Sequence, residues 1–73
     1  MDDITYTKGI YTATARVQPA NGGKYQGVVS LQRDDPDDPE NTVYEVDTTS
    51  PTAEEALEEA KALAHRILGE IEL

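Results

Sequence analysis

Apolar positions along this chain recur with two different periods, and the change of period divides it. In the strand-like runs Ile10–Gln18, Lys24–Arg33 and Thr42–Thr48 they come at every second residue, and from Thr52 onward at steps of three and four. Ala53, Ala56, Leu57, Ala60, Leu63, Ala64, Ile67, Leu68 and Ile71 fall in one arc of a helical wheel. Glu54, Glu55, Glu58, Lys61, Ala62, His65 and Arg66 fall outside that arc. The spacing predicts one amphipathic helix over Thr52–Ile71. Thr52 followed three residues later by Glu55 is a capping box, in which each side chain satisfies a free N–H of the first turn. Pro51 keeps Ser50 extended and bars the helix from starting earlier. Glu54, Glu55, Glu58 and Glu59 near the start, with His65 and Arg66 late, suit the helix dipole. Gly69 is either a stop or a weak point, so the end is expected between Leu68 and Glu72.

The period-two region predicts strands. In Ile10–Gln18, Tyr11, Ala13, Ala15 and Val17 alternate with polar residues. Pro19-Ala20-Asn21-Gly22-Gly23 then reads as a hairpin connection, with Pro19 halting the ladder. Lys24–Arg33 is the return strand, carrying Tyr25, Gly27, Val29 and Leu31 on one face. Placing Val17 opposite Tyr25 pairs Ala15 with Gly27, Ala13 with Val29, and Tyr11 with Leu31, all on one face. Asp34–Asn41, with two prolines and no apolar residue, is a loop, and Thr42–Thr48 is a third strand. Leu31 opposite Tyr44 puts Val29 against Val46, giving a row Ala13–Val29–Val46, with Ile10, Val28 and Val43 on the other face. In the lead-in from Met1 to Gly9, Ile4 and Tyr6 alternate with Thr5 and Thr7 as in a short strand, which Lys8-Gly9 interrupts. The expected fold is α+β: an antiparallel three- to four-stranded meander with one C-terminal amphipathic helix packed on one face (β-β-β-α), as a single domain over residues 1–73. Ala53, Ala56, Ala60 and Ala64 suit a close approach over Ala13, Ala15 and Gly27.

Composition adds a constraint on stability. A chain of 73 residues buries only about 60% of the surface its unfolded form exposes. Here many core candidates are alanines, and Phe, Trp and Cys are absent. Either unusually regular local structure or a partner must compensate. The formal charge of −9 opposes capture by nucleic acid or by an anionic membrane. No apolar run is long enough to span a bilayer and no secretory leader pattern opens the chain, so a cytoplasmic protein is expected.

Candidate chemistry is sparse. Asp34, Asp35, Asp37, Asp38 and Glu40 offer the hard oxygen ligands that calcium or magnesium takes. Their spacing differs from an EF-hand loop, and Pro36 and Pro39 restrict wrapping around an ion. A solvated acidic turn is the expected state, with a weak divalent-cation site or a docking patch for a basic partner as the functional readings of the same residues. His65, the single histidine, falls on the polar side of the helix, as a surface residue near its C-terminus. Tyr6, Tyr11, Tyr25 and Tyr44 suit core packing with hydroxyls at the edge; stacking on RNA bases would need a basic setting. Asn21-Gly22-Gly23 joins two strands and so is not a phosphate loop. No cofactor and no catalytic set is expected.

The alternating strand carrying Tyr11, the run Gly22-Gly23-Lys24-Tyr25 and the helix opening Thr52–Ala60 together resemble small bacterial domains of the HicB-antitoxin type. They are equally similar to a loose set of small uncharacterised bacterial domains of three-strand-plus-helix plan. The resemblance implies an antitoxin-like regulator that binds a basic partner protein. Read from the residues themselves, the expectation is a non-enzymatic, acidic protein-interaction domain. It would bind a protein partner or self-associate as a homo-oligomer through strand addition at an unpaired sheet edge, without nucleic acid or membrane.

Overall fold

A computed structural model describes residues 3–71 and shows an α+β fold. Four strands form one antiparallel sheet in sequence order: β1 (Ile4–Lys8), β2 (Tyr11–Ala20), β3 (Lys24–Arg33) and β4 (Glu40–Ser50). One helix, α1 (Ala53–Glu70), crosses one face. Met1, Asp2, Glu72 and Leu73 lie outside the described residues, so the expected lead-in is followed from Asp3. It contains a true fourth strand. A two-residue loop, Gly9-Ile10, joins β1 to β2, and Gly9 at φ 61° supplies the positive φ that such tight loops require.

The expected β2–β3 register is displaced by two residues. Val17 pairs with Gly27, Ala15 with Val29, Ala13 with Leu31 and Tyr11 with Arg33. The cause lies at Pro19, which was expected to end the ladder but stands inside β2 opposite Tyr25. β1 pairs only with Tyr11–Ala15, so β2 is an edge beyond that point and tolerates a residue with no N–H. Pairing through Ala20 shortens the connection to a single turn of 3₁₀ helix, Asn21–Gly23, in which Gly22 and Gly23 carry the positive φ values. A two-residue shift preserves face identity, so the expected apolar face survives.

β4 runs from Glu40 to Ser50, longer at both ends than the expected Thr42–Thr48. Its register corrects the expected one: Val29 pairs with Tyr44 and Leu31 with Thr42, so the row across the sheet is Ile4–Ala15–Val29–Tyr44. The pairing then slips. Val28 lies opposite Glu45 and Gln26 opposite Thr49, leaving Val46, Asp47 and Thr48 against Gly27 alone. Beyond this bulge the expected offset is restored, at Gln26–Thr49 and Tyr25–Ser50. Gln26 Nε2 donates to the Val46 carbonyl at 3.0 Å, satisfying an acceptor at the irregularity, and Gln18 Nε2 donates to Gln26 Oε1 at 3.2 Å.

The helix matches its expected extent closely. Thr52 is the N-cap, its Oγ1 accepting from the Glu55 N–H at 3.2 Å, and Gly69 lies within the final turn rather than ending the helix. The core is Ala13, Ala15, Val29, Ala60, Ala64 and Leu68, flanked by half-buried Tyr6, Tyr11, Leu31, Leu63, Ile67 and Ile71. Gly27 makes the close packing possible. A Cβ on it would stand 2.6 Å from the Ala56 carbonyl oxygen and 3.0 Å from the Ala60 Cβ. The far face of the sheet is not uniformly wet: Val28 is buried there, between Arg16 and Glu45 in register, whereas Ile10 and Val43 are exposed.

Candidate functional site

The helix lies over the middle strands and leaves β4 as a free edge. Within the sheet β4 pairs only with β3, and most of its side chains are exposed. Val43 is 54% exposed and Tyr44 38%. Tyr44 was expected in the core; it shares the helix-side face with Val29 but is exposed rather than buried there. The other edge, β1, is half as long and is closed on the helix side, where the Tyr6 ring packs against His65 at 4.4 Å between centroids. His65, placed by the sequence on the polar surface, is exposed and makes this one ring contact.

Beside β4 runs a groove of about 430 Å³, formed by Glu45, Val46, Asp47 and Thr48 on the strand and by Glu59, Ala62, Leu63 and Arg66 on α1. Its apolar floor comes from Val46, Ala62 and Leu63, and its rim carries three carboxylates and one guanidinium. Glu59 is held in place by the strand: Thr48 Oγ1 and buried Ser50 Oγ both donate to Glu59 Oε2 at 3.3 Å. Glu45 and Asp47 form no ion pair among the described residues. The bulged segment Val46–Thr48, out of regular pairing with β3, forms the strand side of the groove.

The acidic loop is organised around Arg33. Its Nη2 lies 3.1 Å from Asp35 Oδ2, while Nη1 lies 3.9 Å from Asp38 Oδ2 and 4.0 Å from Glu40 Oε2. Asp35 Oδ1 also accepts from the Asp37 N–H at 2.9 Å, and the Asp34 N–H donates to the Ile10 carbonyl at 2.7 Å. Asp35, Asp38 and Glu40 thus sit near one cation of the protein itself, whereas the Asp34 and Asp37 carboxylates form no ion pair with it. Among the described residues no three His, Asp or Glu side chains converge in a way that would hold a metal ion. Glu40 belongs to β4 rather than to the loop, which links this cluster to the free edge.

The groove residues Glu45, Asp47 and Glu59 were not singled out by sequence reasoning. The available signal was modest: a strand with acids at alternate positions, following two strands whose apolar face was already complete. No helix among the described residues is long and apolar enough to cross a membrane. No protein-family model, curated protein or solved structure matches the chain.

Proposed function

We propose that this protein is a non-enzymatic interaction domain that binds protein by accepting an added strand along β4. The observation supporting this reading is an 11-residue strand with one paired side, bearing exposed Val43 and Tyr44 beside a groove. An unpaired edge offers a row of backbone donors and acceptors, and strand addition gives affinity through them while alternate side chains give selectivity. The bulge and Asp47 blunt the C-terminal part of β4, so the receptive stretch is Asn41–Glu45, where pairing with β3 is regular.

An amide NMR titration with a short neutral peptide of alternating Val and Gln tests the proposal. Shifts and gained exchange protection are expected in Asn41–Glu45. Val43→Lys should abolish them while leaving folding stability within about 0.5 kcal/mol, as for other exposed sites. Shifts confined to β1, the acidic loop or the open sheet face would overturn the reading.

A further inference from the structure

The charge around β4 narrows the choice of occupant. Resting on the strand-addition reading, we infer that the segment bound there is an extended stretch of a partner protein with alternating apolar and cationic residues. Residues directly opposite in an antiparallel or parallel pair point to the same face of the sheet. Thr42, Tyr44 and Val46 share the helix-side face of β4, and Asn41, Val43 and Glu45 the open face. An incoming strand therefore sets one row of side chains beside Tyr44, leading towards the groove floor at Val46 and Leu63. Its other row meets Val43 and Glu45, with Asp47 just beyond the receptive stretch.

The first row is selected by apolar contact and the second by charge. Arg33 already offsets Asp35, Asp38 and Glu40 at one end of the edge. Glu45 and Asp47 have no such partner among the described residues, and the groove rim adds Glu59 against one cation, Arg66. A Lys or Arg side chain supplies the missing charge, and its aliphatic stem covers Val43. A second copy of this chain is the disfavoured occupant. It would bring a second set of Asp38, Glu40, Glu45 and Asp47 onto the same edge and join two chains of formal charge −9. The two occupants differ in the sign of their salt dependence: screening weakens binding of a cationic segment and strengthens self-association of like-charged copies.

The experiment compares three peptides with the same alternating valines and with Lys, Gln or Glu at the remaining positions, titrated against the full chain. At low salt the Lys peptide should bind about tenfold more tightly than the Gln peptide, the effect of about three exposed ion pairs. The Glu peptide should bind most weakly. The Lys advantage should shrink as NaCl rises, and also in the double variant Glu45→Gln, Asp47→Asn, which keeps side-chain size and the edge. Equal affinity for the Lys and Gln peptides, both mapping to β4, would overturn the cationic partner while leaving strand addition standing. A dimer through β4 that tightens with salt in sedimentation equilibrium would overturn it in favour of the second copy. β4 amides unmoved by every peptide, in a chain that stays monomeric, would remove the strand-addition reading itself.

Discussion

Lys8 shows how one side chain joins the two ends of the chain. Its Nζ donates to the Leu68 carbonyl at 2.8 Å and to the Ile71 carbonyl at 3.1 Å, and the Ile71 N–H closes onto the Leu68 carbonyl as well. Carbonyls at a helix C-terminus lack intrahelical partners and carry the negative end of the dipole. The last turn of α1 has no basic residue of its own, so β1 provides the cation. Lys8→Met keeps the apolar stem and removes the ammonium; it should cost about 1 kcal/mol. In urea unfolding the wild-type and mutant curves should converge as salt rises. A mutant as stable as wild type at low salt would show that the contact contributes nothing. Sequence reading treated Lys8 only as an interruption of a short strand, because the groups it serves lie sixty or more positions away. Pairings of that range leave no local pattern. Thr52 was legible for the opposite reason, since its capping partner is three residues on.

At the scale of elements, the helix–sheet contact depends on the absence of a side chain at Gly27. The Ala56 carbonyl oxygen, part of the helix backbone, is the nearest atom to a Cβ built there, so no rotamer change relieves the overlap. Gly27→Ala should therefore push α1 from the sheet and destabilise the fold by about 1–3 kcal/mol. Thermal unfolding measures the loss, and weakened chemical-shift dispersion at Ala56 and Ala60 should accompany it. An unchanged melting curve would mean that the two layers are less tightly packed than this. The sequence showed that small residues meet here, since Ala and Gly recur at the right period in both layers. It misplaced the strands by two residues because any even shift keeps every side chain on its face. What decides between such registers is the length of the loop, set by whether Pro19 ends β2, and the bulge at Val46–Thr48 opposite Gly27. Neither carries a periodic signal. For the same reason the groove beside β4 could not be read, while the acidic loop could; the loop's Arg33 partner became visible only in three dimensions.

For the molecule as a whole, shape and charge act together. Its Cα radius of gyration is 12.7 Å, with extents of 42 × 21 × 19 Å, against about 11 Å for a compact domain of this length. The long hairpin of β3 and β4 gives a large surface for a core in which Val29 is the largest fully buried side chain. The chain carries 15 acids against 6 bases, and folding concentrates their repulsion. A few local attractions oppose it, chiefly the Arg33 cluster, Lys61 with Glu58 at 3.1 Å, and Lys8 at the helix end. The excess of nine negative charges outweighs these pairs, most of which are partly solvated and weak. Salt should therefore stabilise the fold. The melting temperature is expected to rise by several degrees between about 10 mM and about 0.2 M NaCl, as the Debye length shrinks to the spacing of surface charges. A melting temperature that falls over this range would show that the ion pairs dominate. Binding of a cationic strand at β4 has the opposite dependence, so the same titration should make the chain more stable and less able to hold its partner.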